Sequence, residues 1–245
     1  MTTAIVMTQY SASFGAQPAE GGKVMLRDPT GLAIWCKRLA WLWLATEGIL
    51  ALSCIGEIYI LGGLGSPPGT AEAIEDAADI SALASLPYML AYIVCGILVA
   101  RWIHRINRNA HHWSDKMTVG PKWNVGWFFV PFANLWMPFA GIRQTRGATI
   151  DSENPDSVPV PDWMRLWWGF WLASTLLGNL TFRLSVAAKT PESLIAVDWL
   201  YVLSLVLDVP LTILLCRLLA DISTLQSQRI AREADMSGAE TSPLA

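Results

Sequence analysis

The residues with the most chemical potential in this 245-residue chain are acids set inside apolar runs. Asp208 stands in LVLDVPLT, two residues before Pro210, whose missing N–H leaves a helix carbonyl free one turn earlier. An ionised group at that depth in hydrocarbon is expensive, so Asp208 is expected to be neutral at rest; one reading is a proton or cation site, with Glu47 the nearest acid by depth. The plainer alternative is a protonated Asp that hydrogen-bonds a neighbouring helix as packing glue. Glu57 and Arg183 lie at a similar depth toward the other end of their runs. The pattern predicts an ion pair between them that locks two helices together.

A second group is basic. His104, His111 and His112 share the run RWIHRINRNAHH with Arg101, Arg105 and Arg108. No carboxylate or Cys stands at ligand spacing, and adjacent histidines point apart on a helix, so no metal is expected. Contact with anionic lipid headgroups is the expected role of this rim. Nucleic acid is not an expected partner, because the basic residues are few and topology accounts for them. Cys36, Cys54, Cys95 and Cys216 lie in or beside apolar runs without a CxxC, and read as small packing residues. HExxH, GxSxG, Walker and GxGxxG patterns are absent from the sequence, so neither a cofactor nor an enzyme is expected.

These residues must be positioned by membrane helices. The chain is 53% hydrophobic and 15% charged, with 13 Trp, against about 25% charged in a soluble domain. Apolar runs over Leu39–Leu64, Leu83–Trp102, Trp163–Ala187 and Val197–Ala220 each have roughly the 20 residues that a bilayer crossing needs. Residues 1–37 read as a polar, mostly disordered lead-in, with a short surface helix near Arg27–Arg38. Residues 38–230 read as the membrane domain and 231–245 as a disordered tail. No cleavable signal peptide is expected, since the first long apolar run starts only near Leu39. With four spans and both termini inside, 15 of the 17 Lys and Arg lie on the cytoplasmic side. A fifth crossing would reduce the split to 11 against 6. The RLAWLWLAT and RLWWGFWLAS segments also resemble each other, as a two-hairpin repeat would.

Between the second and third runs lies GPKWNVGWFFVPFANLWMPFAGI, residues 120–142. Numbered as one helix, it places Trp123, Trp127, Pro131, Asn134 and Pro138 on one stripe, with an apolar stripe beside it. Two prolines in the apolar run from Val125 to Ile142, at about 3 kcal/mol each in a helix interior, predict a kinked re-entrant or interfacial segment.

The pattern RWIHRINRNA…PKWNVGWFFVPFANLWMPF resembles the bacterial membrane-protein family filed as domain of unknown function 4328. Arg101, Arg105 and Asn109 match its Arg/Asn-rich helix. Gly126, Trp127, Val130, Pro131, Asn134, Leu135 and Pro138 match its Gly-Trp…Val-Pro…Asn-Leu…Pro segment. The resemblance covers about residues 38–230. It implies a small four-span protein of the bacterial inner membrane, and it lends no activity or cofactor.

The expected fold is therefore all-α and integral to the membrane, with four transmembrane helices in two hairpins and the kinked segment between the second and third. Three functions follow. The first is a non-enzymatic sensing, anchoring or protective subunit that binds a membrane or cytoplasmic protein partner. The second is a small carrier or channel for protons, ions or lipids, using Asp208 and the broken 123–142 element. The third is an intramembrane enzyme using Asp208, Glu47, Asn134 or the histidines.

Overall fold

A computed structural model describes residues 26–240. Residues 1–25 of the expected lead-in and 241–245 of the expected tail lie outside the described residues. Five helices of a dozen residues or more carry the fold. They are α1 (Thr30–Ile60), α2 (Ala71–Trp113), α4 (Met137–Ile150), α5 (Asp162–Ala187) and α6 (Pro191–Glu240), with a short α3 (Pro121–Gly126) before α4. The expected surface helix near Arg27–Arg38 is the opening of α1, which continues without a break to Ile60.

Local chemistry sets the ends. Gly62, at φ +85°, takes the left-handed position that stops α1. Its N–H donates to Tyr59 O at 3.1 Å and the Gly63 N–H donates to Ile58 O at 2.8 Å, the paired bonds of a Schellman motif. At the start of α6, Ser193 N donates to Thr190 Oγ1 at 3.3 Å and Thr190 N donates to Ser193 Oγ at 3.0 Å, a reciprocal cap. Pro87 and Pro210 lie inside α2 and α6 without ending either helix.

Among the described residues, three helices are long and apolar enough to cross a membrane: α1, α2 and α6. This corrects the expected count of four and, with it, the two-hairpin plan and the charge tally that rested on it. The helix that drops out is α5. Its 26 residues suffice in length, but they include Trp163, Trp167, Trp168 and Trp171 together with Asn179 and Arg183. The indole is amphipathic and favours the interface over the hydrocarbon. Counting Trp as fully apolar overstated this run.

Residues 120–142 are not one kinked helix either. α3 passes into a 3-10 turn over Trp127–Phe129, and a second 3-10 turn, Ala133–Leu135, leads to α4. Val130 is extended (φ −95°, ψ 116°), as the residue before a proline prefers. Phe132 takes φ 63°, the only positive φ of a non-glycine residue among the described residues. The Trp/Pro/Asn stripe therefore survives only at Trp123 and Trp127, whose rings lie 4.8 Å apart.

The chain divides into two compact units. Unit 1 takes its described residues from 26–33, 100–160 and the part of α6 after Leu219; unit 2 takes 34–99 and 161–219. Unit 1 has a core of Trp102, Ile106, Ile142 and Ile222 threaded by buried amides. Unit 2 buries Cys36, Ala40, Trp43, Leu50, Cys54 and Ile58 on one face of α1, while large apolar residues such as Leu52, Leu83, Leu90 and Val206 face outward. That inverted exposure suits hydrocarbon surroundings.

Candidate functional site

In unit 2, the buried positions on α1 recur as Trp43, Glu47, Leu50, Cys54 and Ile58, a single helical stripe. Glu47 falls on this stripe, so its carboxyl faces protein instead of lipid, with 3% of its surface exposed. On α6, Asp208 is 2% exposed, and Thr212, one turn on along the same face, is fully buried. The two carboxyls lie within interaction range of each other, Ser174 of α5 reaches Asp208, and Tyr88 of α2 faces both acids. All four helices of the unit thus supply a polar group to one place. Polar satisfaction there is incomplete: Glu47 Oε1 and Oε2, Asp208 Oδ1, Thr212 Oγ1 and Trp43 Nε1 have no partner of hydrogen-bonding geometry among the described residues. Buried polar atoms are almost always paired, so five at one place without a partner of hydrogen-bonding geometry are unusual, although Asn107, Trp113 and Asn124 of unit 1 also carry such atoms. Two carboxyls at close range also cannot both ionise without strong repulsion. The arrangement is suited to holding a proton that can be given up and regained.

A second acid pair lies further along the same helices. Glu57 is 9% exposed and Asp198 is 7% exposed, with Cys54 beside Asp198. Depth alone suggested Arg183 as the partner of Glu57, and this is corrected: Arg183 is exposed. Among the described residues the ion pairs are Arg143–Asp156, Arg146–Asp221, Arg165–Asp162 and Arg229–Glu233. Matching depth does not match rotation about the helix axis, and Arg183 points away from the unit. Asp198 was missed because it opens the fourth apolar run and reads as an interfacial residue. Thr212 and Ser174 were missed too, although the i+4 spacing of Thr212 from Asp208 was legible.

The family-pattern residues gather in unit 1, with different chemistry. Asn109, 2% exposed, donates through Nδ2 to Arg27 O and to Gln226 Oε1, each at 2.9 Å. Gln226 in turn donates to Ile106 O at 2.9 Å and to Thr149 Oγ1 at 3.2 Å, tying α6 to α2 and α4. Asn107 donates to Thr145 Oγ1 at 2.9 Å, and the Trp102 indole donates to Ser223 at 2.9 Å. Gln226, Thr145 and Asn107 were not singled out from the sequence. Arg105 Nη1 donates to Asp28 O at 3.3 Å, whereas Arg101 is exposed. Gly126 and Trp127 close α3, Pro131 and Leu135 are exposed in the broken segment, Asn134 is half-buried, and Pro138 is buried at the start of α4. Slight burial pushes the Asp28 carboxyl up, but hydrogen bonds from Thr30 and Ser227 and the nearby Arg105 charge outweigh it and hold Asp28 below the ordinary range.

Arg229 completes this unit. Its guanidinium donates to the Ala148 and Thr149 carbonyls at 3.0 Å each, satisfying the free end of α4, and lies 4.7 Å from the centroid of the Trp113 ring. Among the described residues the histidines join no group of three or more ligands able to hold a metal, and His111 Nε2 lies 3.1 Å from Val119 O. Cys36, Cys54, Cys95 and Cys216 are all free thiols.

The family model described as "Domain of unknown function (DUF4328)" matches residues 67–224. No curated protein and no solved structure matches the chain.

Proposed function

The chain belongs to this family of unknown function, and from that premise we propose that it is a non-enzymatic, multi-pass protein of the bacterial plasma membrane that binds and releases protons at Glu47 and Asp208. The observation that carries the reading is the convergence of two acids, each under 4% exposed, three of whose four carboxyl oxygens have no partner of hydrogen-bonding geometry among the described residues. Packing glue would be expected to pair those oxygens. The absence of catalytic motifs from the sequence supports a non-enzymatic role. Most of the Lys and Arg lie in unit 1, which the positive-inside rule assigns to the cytoplasmic face.

The test is proton uptake into dye-loaded liposomes carrying the full-length protein. Asp208→Asn should remove the uptake and leave the protein monodisperse in detergent. An Asp208→Asn protein that transports normally, and merely melts at a lower temperature, would return Asp208 to a packing role.

A second reading, lipid-surface contact through unit 1, is favoured by one observation. Phe129 and Phe132 are 80% and 78% exposed on the broken segment, between the cations Lys122 and Arg143. Aromatic rings flanked by basic residues suit the headgroup boundary of an anionic bilayer. A fluorophore on Phe132→Cys should be quenched by brominated lipids about as strongly as one on Leu90→Cys of α2. Quenching at position 90 without any at position 132 would exclude lipid contact there.

A further inference from the structure

We propose that Glu57 and Asp198 form a second proton-binding station, so that unit 2 holds a two-step path between it and the Glu47–Asp208 pair. The inference rests on the proton-handling reading above and extends it to residues outside that pair.

The geometry is repetitive. Glu57 follows Glu47 by ten residues on α1, and Asp198 precedes Asp208 by ten on α6. At 1.5 Å per residue, the two levels are separated by about 15 Å along the helices. Asp198 is 7% exposed; the Cys54 thiol bonds its carboxyl, but Oδ2 has no hydrogen-bond partner among the described residues. It thus shares the defect that marks the first pair, at an independent position. The titratable groups facing the second pair are Cys54 on α1 and Tyr201 on α6, with Ser185 of α5 beside Tyr201. None of the ion pairs among the described residues involves either acid.

A gap of about 15 Å is too long for a direct hop and calls for hydroxyls or water between the stations. Ser53 on α1, Thr181 on α5 and Tyr201 and Ser204 on α6 lie in that interval, and Thr181 is 2% exposed. Each transfer breaks one carboxyl O–H bond and forms one on the next oxygen, so charge moves with the proton and no redox partner is involved. The supply and sink are the two aqueous phases.

The experiment is the same liposome assay on the full-length protein, driven by a potassium-diffusion potential. Asp198→Asn and Glu57→Gln should each slow proton entry by about tenfold or more, as Asp208→Asn does, while Asp198→Glu restores most of the rate. If Asp198→Asn and Glu57→Gln stay within about twofold of the parent while Asp208→Asn abolishes entry, the second station is overturned and the first stands. If the parent itself carries no more protons than protein-free liposomes, both readings fall. Recovery by Asp198→Glu separates a lost proton site from a collapsed fold, since a misfolded Asn variant would leave Glu57→Gln as the deciding measurement.

Discussion

Glu47→Leu should make the protein more stable and inactive at once. Glu47 is 3% exposed, and neither carboxyl oxygen has a hydrogen-bond partner among the described residues. Burying an unsatisfied polar group costs about 1–3 kcal/mol by protein mutational data, and a Leu of similar reach removes that cost while keeping contact with Trp43 and Leu50. Thermal melting in detergent should therefore show a gain of about 1–3 kcal/mol, and proton uptake in liposomes should disappear. A protein kept for stability alone would behave in the opposite way. If Glu47→Leu melts lower than the parent, the acid is paired in the folded protein and the proton-site reading loses its main support.

Gly147→Ala should be among the most damaging single methyl additions in unit 1. Gly147 lies in α4, where an added Cβ would collide with the carbonyl of Pro155 in the connector that follows. The nearest atoms are all Pro155 backbone, so no side chain can swing aside. Overpacking of this kind costs about 3 kcal/mol, because backbone must move. Arg229 and Gln226 also bind α4 at Ala148 and Thr149, so a shift there disturbs their hydrogen bonds. Gly178→Ala in α5 is the control: nothing lies within 4 Å of its Cβ position. It should gain about 0.5–1 kcal/mol through the lower backbone entropy of Ala. Equal melting of the two variants would show that the connector does not press on α4 in solution.

These two variants probe opposite kinds of polar burial. In unit 1 Gln226 uses Nε2 twice and accepts from Asn109 through Oε1, whereas both amide atoms of the buried Asn124 have no hydrogen-bond partner among the described residues. In unit 2, Ser174 reaches Asp208 and Cys54 reaches Asp198, while Glu47 Oε1 and Oε2, Asp208 Oδ1 and Asp198 Oδ2 have no partner of hydrogen-bonding geometry among the described residues. A satisfied network rigidifies a unit, whereas unpaired buried polar groups cost stability. The residues matching the family pattern divide in the same way. Asn109 and Pro138 are buried, while Arg101, Pro131 and Leu135 are exposed.

By itself, the sequence determined the all-helical membrane character and the family, and it singled out Glu47 and Asp208, both of which are buried. These follow from quantities that add along the chain: apolar length, charge density and the cost of an acid in hydrocarbon. The breaks around Val130–Pro131 were legible for the same local reason, since proline acts on its own neighbours. The number of crossing helices was not legible, because α5 sits near the boundary where four indoles decide, and Trp is neither apolar nor polar at an interface. Partnerships were decided only in three dimensions. Glu57 meets Cys54 and Asp198 in place of Arg183, and Gln226 joins Asn109 across 117 positions of sequence. Depth can be counted from a sequence, but the direction in which a side chain points depends on how each helix is rotated against its neighbours. That rotation is set by packing summed over whole helix faces, which no single residue type records.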